Sequence, residues 1–329
     1  MALLTSLSGV FSCMIMIMLG YYLTRKGWFD ADISRLFSKM AMFIAIPLYM
    51  LSNMMKSYTK ADLVQLGYVV MVPAIVQLVC WVVGIGTSHL LGIPIERRGA
   101  YQAMTFVSNS AFIGFPVVVA LFGEKALPLA LMFYLVQSIL FWTIGAYGIA
   151  CDGQKMFELD ESNHGKQFQQ PSIFSLQTLK NILSFPLLAA ILAVVLILLK
   201  VKLPIFAMST SQYLGNMTTP LTMLFIGIVI YLVDLKTIRF SKDMFGILGS
   251  RFLIAPIVVL IVIHFLPIPP LAKSVFFIQA SMPVMTQTSV AAKAFKADSN
   301  YVAVMTAVTT MCALVTIPIY FILLTKGVL

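Results

Sequence analysis

Two apolar stretches carry residues that could bind something: "SNSAFIGFP" at 108–116 and "SMPVMTQTS" at 281–289. In each, small hydroxyl and amide side chains stand beside residues that disfavour a continuous helix. Pro283 lacks a backbone N–H and its ring collides with the preceding turn; Pro116, preceded by Gly114, should act the same way a turn and a half beyond Asn109. A helix interrupted inside a membrane presents a fresh N-terminus, with free N–H groups and about half a positive charge. Such an end suits a carboxylate or similar anion. The candidate substrate site is therefore Asn109, Ser110, Thr286, Gln287 and Thr288, with Pro283 and its neighbours Ser108, Gly114, Pro116 and Ser281 making the breaks.

The remaining chemistry narrows the mechanism. All 12 acidic residues are expected in loops or at span ends. A proton-driven pump usually keeps an ionisable relay inside the membrane, so a coupled proton would travel on the substrate. A sodium site built from carbonyls, amides and hydroxyls stays open, and no cofactor is expected. Gln137, alone in "MFYLVQSILFW", must pair with something buried; it either joins helices or faces the site from the fifth span. Asn53, Gln77, Asn216 and Gln279 are further polar residues within spans. Arg251, the deepest cation, is expected to snorkel to the cytoplasmic surface, or to meet an anion on the inner pathway. An enzyme would need a nucleophile with its base, or a metal motif such as HExxH; neither is found, so no catalytic or metal-binding residue is assigned.

These residues must be positioned by membrane helices. The chain of 329 residues is 60% hydrophobic and only 10% charged, with a mean hydropathy of +0.97, whereas soluble domains are about 25% charged. Ten spans are expected, at 3–24, 34–53, 64–91, 100–121, 127–149, 181–200, 205–233, 244–266, 271–292 and 301–324. The first has no basic residues ahead of it and no small-residue cleavage site behind it, and reads as a retained helix. The four cysteines and three histidines show no metal or disulfide spacing. The net charge of +10 is spread over short loops, which fits topology rather than nucleic-acid binding. Lys and Arg divide fifteen to seven between alternate loops, placing both termini outside and the central segment in the cytoplasm of a plasma-membrane protein.

That segment divides the chain into residues 1–150, a linker at 151–180, and 181–329. "PLYML" (47–51) and "PLTML" (220–224) match at an offset of 173, and at the same offset Ser108 meets Ser281, Val117 meets Val290 and Phe122 meets Phe295. Five spans per half is an odd number, so the second copy enters the membrane from the opposite side. An all-α protein of two inverted five-helix repeats is expected, with paired broken helices at the transport site.

"SNSAFIGFPVVVALFG" (108–123) and "QASMPVMTQTSVAAKAFKADSNYVAVMTAVTTMCALVTIPIYFIL" (279–323) resemble the auxin efflux carrier family, in particular its bacterial malate and malonate permease branch. The resemblance implies a fold like the bile acid:sodium symporters, with crossed discontinuous helices four and nine. It also implies a scaffold of helices one, two, six and seven, a transport domain of the others, elevator-type alternating access and a homodimer through the scaffold. Asn109 matches the family's Asn at the first break, Gly114 and Pro116 its Gly-x-Pro, and Pro283 its second crossover proline. Ser108 stands where plant PIN-type carriers have proline, which argues against an auxin-like substrate.

The expected function is secondary transport of a small mono- or dicarboxylate in a lipid bilayer. The alternatives are a sodium-coupled symporter of a larger amphipathic acid and a passive channel. Sodium dependence and saturation of uptake separate the three.

Overall fold

The computed structural model describes residues 2–159, 184–233 and 241–325. Its helices are α1 (Ala2–Arg25), α2 (Ala31–Ser57), α3 (Gly67–Leu90), preceded by a short helix Lys60–Leu66, α4 (Arg98–Phe106), α5 (Ser110–Phe122), α6 (Glu124–Leu159), α7 (Phe185–Leu198), α8 (Ile205–Leu232), α9 (Lys242–Phe265), α10 (Pro270–Ala280), α11 (Gln287–Ala294) and α12 (Ser299–Thr325). Among the described residues there is no strand beyond one isolated bridge. Six of these helices, α2, α3, α6, α8, α9 and α12, are long and apolar enough to cross a membrane. Ile15 and Met18 on α1, Leu253, Ile257 and Ile261 on α9, and Val315 and Ile319 on α12 are exposed. Helices apolar on the outer face as well as the inner one have lipid as their natural solvent.

Each expected span contains helix; the fourth and ninth divide, into α4 with α5 and α10 with α11, and the seventh, α8, carries a turn at Asn216–Met217. The fifth is longer than expected: α6 continues through 151–159, residues assigned to the linker. Residues 160–180 of that linker lie outside the described residues. The start of α2 is held by Asp30, whose carboxylate accepts the N–H groups of Asp32 and Ile33 at 2.9 Å.

Pro116 departs from its expected role, because α5 runs through it and Gly114 without interruption. The helix absorbs the proline with a widened turn, Ser110–Gly114, in which the Gly114 N–H reaches back five residues to Asn109 O at 3.0 Å. Pro47 and Pro256 likewise follow by two residues the widened turns Ala41–Ala45 and Ser250–Ile254. An extra residue in the turn makes room for the ring and shifts the missing donor out of the ladder, so these prolines bulge their helices instead of ending them.

Among the helix contacts, α1 lies along α8 and also against α5, and α2 packs on α7 and α8. Backbones touch through Gly20 and Gly227: a Cβ on Gly20 would collide with the Leu224 backbone, and one on Gly227 with that of α1. Further along, α3 packs on α4 and α9, α6 on α4 and α10, and α11 on α12. Gly99 of α4 faces Gly148 of α6 so closely that a Cβ on Gly99 would collide with the Gly148 backbone, while one on Gly148 would sit tightly against Gly99.

Candidate functional site

The first break is Val107–Asn109 and the second Ser281–Thr286. They cross in antiparallel fashion, with a bridge between Ser108 and Val284 and the Asn109 N–H donating to Pro283 O at 2.7 Å. Unwound backbone in an apolar interior must find partners for its polar groups, and three side chains from other helices supply them. Gln137 of α6, fully buried, accepts from the Ser108 N–H and Oγ, both at 2.8 Å. Its amide nitrogen donates to Ser108 O at 2.6 Å and to Ser110 Oγ at 2.9 Å. Thr309 of α12 accepts the Val284 N–H at 3.1 Å.

Arg251 is the third, and its position corrects the sequence expectation. It does not reach the surface; it is 1% exposed. Its guanidinium donates to Thr105 O at the end of α4, and to Ala280 O and Met282 O at the end of α10. Two helix C-termini, each with a partial negative charge, converge on one cation. The side chain is long enough to snorkel, but these carbonyls have no other donor of comparable strength at hand.

The N-terminal sides of the breaks are treated differently. Neither Asn109, before α5, nor Thr286, before α11, caps its helix with a side-chain hydrogen bond. The Asn109 side-chain amide instead donates to Thr286 Oγ1 at 2.8 Å, tying the two helix starts together. Thr286 and Gln287 then form one wall of a cavity of about 130 Å³, with Phe112 of α5 beside them and Ser38, Lys39 and Met42 of α2 opposite. The cavity lining holds no acidic side chain among the described residues. Its polar groups are a helix start, hydroxyls, an amide and one ammonium, donors suited to a small anion, set in a lining that is otherwise apolar with Met42, Phe43, Phe112 and Val290.

Of the residues singled out in the sequence, Asn109, Thr286 and Gln287 thus come together. Ser108 and Ser110 are occupied by Gln137, on the side of the break joined to α6. Ser281 bonds back to Phe277 O at 2.7 Å, and Thr288 is fully buried. Gly114 allows close approach: a Cβ there would collide with the Gln279 side chain. Asn53 and Asn216 meet elsewhere, in a cavity of about 90 Å³ next to Lys56 and Glu124.

Three participants escape sequence reasoning. Lys39 reads as one more basic loop residue, and nothing in its neighbourhood marks it. Thr309 is one of many threonines. Asp152, expected in the linker, is 1% exposed on α6 and accepts the N–H groups of Gly99 and Ala100 at 2.9 and 2.6 Å, capping α4 from a different helix. The expectation that no carboxylate lies buried among the helices fails at this residue, because α6 extends ten residues past the predicted span end. The "RRG" at the start of α4 (97–99) offers no capping side chain of its own, which is a usable hint.

Residues 5–321 match the sequence model of a family described as membrane transport protein. Two archaeal relatives align over nearly the whole chain. One, from Methanocaldococcus jannaschii, is 25% identical over 93% of this chain and 95% of its own length. The other, from Methanothermobacter thermautotrophicus, is 24% identical over 98% of this chain and 100% of its own. Both are named as uncharacterized transporters.

Proposed function

Because the chain belongs to the membrane transport protein family, the auxin efflux carriers, we propose that it is a secondary transporter of a small mono- or dicarboxylate, malate- or malonate-like. The observation that carries this reading is the pair of helix starts without side-chain caps, joined by Asn109 and Thr286, at the wall of a cavity that also holds Lys39. A dicarboxylate would set one carboxylate at the Thr286–Gln287 helix start and the other toward Lys39.

In this proposal the two halves are inverted repeats meeting at the crossing, in the plasma membrane, with both termini outside. The group of α1, α2, α7 and α8 is the scaffold and would carry a homodimer contact. The group holding the crossing slides against it in an elevator-type motion, and the cavity lies where α2 of one faces α5 and α11 of the other.

The test is a thermal-shift series on purified protein with small carboxylates, at two pH values, followed by uptake into proteoliposomes. Malonate or malate should raise Tm saturably, and Lys39→Gln should weaken that effect at least several-fold. Stabilisation by no carboxylate, or one indifferent to Lys39, would overturn the proposal.

A further inference from the structure

The strongest charge at the crossing lies outside the cavity. Arg251 makes four hydrogen bonds of 2.6–3.1 Å, all to the main-chain carbonyls of Thr105, Ala280 and Met282. Among the described residues no carboxylate forms an ion pair with it. A buried guanidinium ordinarily needs a counter-ion; here the countercharge is the sum of two helix C-terminal dipoles and the unwound carbonyl of Met282. That set of ligands, the C-terminal ends of broken helices plus unwound carbonyls, is what carriers with discontinuous helices use to hold a sodium ion. Arg251 also sits in the widened turn Ser250–Ile254, which re-aims a side chain by the width of one extra residue.

We propose that Arg251 is the built-in cation of the crossing, standing where a coupled sodium ion would otherwise bind, so that the carrier works without sodium. A guanidinium stays charged in proteins and cannot leave, so the carbonyl cage is filled in every state of the transport cycle. It acts as a positioning residue: it locks the ends of α4 and α10 to α9. Its permanent charge also leaves the crossing one positive charge richer than an empty cage would be, which favours an anionic load. The freedom from sodium, the filled cage through the transport cycle and the preference for an anionic load rest on the function proposed above; the cation's place in the carbonyl cage does not.

The test needs no substrate. Wild-type protein, Arg251→Ala and Arg251→Lys are purified, and Tm is measured in choline chloride with additions of sodium, potassium or guanidinium chloride at millimolar level and constant ionic strength. The wild type should melt at the same temperature in all of them. Arg251→Ala should melt several degrees lower in choline and recover saturably with guanidinium, and in part with sodium. Arg251→Lys should keep part of the stability and show no recovery. Specific stabilisation of the wild type by sodium, or an alanine variant that no cation restores, would overturn the proposal. If Arg251→Ala does not fold, Arg251→Gln, which keeps a donor amide, carries the same comparison. Since no carboxylate is present, failure here leaves the anion reading standing, and an unsuccessful carboxylate screen leaves this result untouched.

Discussion

Gln137 and Asn109 both bond at the crossing yet should differ in what their truncation does to stability. Gln137 uses both ends of its amide on Ser108 and Ser110. In Gln137→Ala the buried Ser108 N–H and carbonyl lose a partner, at about 1–3 kcal/mol for each group left unpaired, so Tm and transport should fall together. Asn109→Ala removes only the amide bond to Thr286, while its main-chain bond to Pro283 persists. Its Tm should stay near wild type while uptake drops at least tenfold; unchanged uptake would remove Asn109 from the site. At this scale the sequence is informative about type and silent about partner. Gln137 announces itself as an amide in an apolar helix, but its partners are 27 and 29 residues away and can be known only from the packing of α6 on the break.

The helices show which local rules hold. Pro283 lies in a true break and Pro116 in a bulge, although the sequence points to an interruption at both. The residues next to each proline make the difference. After Pro116 the chain offers "VVVALF", an unbroken helix-compatible run, whereas around Pro283 the polar run "MTQTS" and the crossing segment compete with the helix for hydrogen bonds. The start of α4 depends on Asp152 in the same non-local way. Asp152→Ala should cost about 0.5–2 kcal/mol, the usual worth of a helix cap, and Asp152→Asn less, because one acceptor oxygen survives. Chemical or thermal unfolding of both variants measures this; an alanine variant as stable as wild type would show that water replaces the cap.

Across the whole molecule, the proposed scaffold and the proposed moving group share polar contacts: Lys56 with Glu124 at 3.5 Å and the Tyr58 hydroxyl donating to Lys125 O at 2.9 Å, both joining the end of α2 to the first turn of α6. If the groups slide as proposed, these contacts must part in each cycle. A Lys56→Cys, Glu124→Cys pair bridged by a short bifunctional thiol reagent should stop uptake, with recovery on reduction of a cleavable bridge and no effect in either single variant. Full uptake by the bridged protein would argue for a fixed pore or a smaller local motion.

The sequence by itself determined that this is a multi-span helical membrane protein, and it marked the two segments where helices give way. Those properties follow from hydropathy and from the backbone chemistry of proline, glycine and small polar residues, which act within a few positions of themselves. Only the tertiary structure decided that the breaks run antiparallel, that Arg251 closes their C-terminal ends, that Asp152 is drawn inside to cap α4, and that Lys39 lines the same cavity as Thr286 and Gln287. Each of these joins residues from tens to nearly 250 positions apart. Which partner a buried charge or amide finds is set by the convergence of main-chain dipoles and unsatisfied groups in a medium without water, and that convergence exists only once the helices are packed.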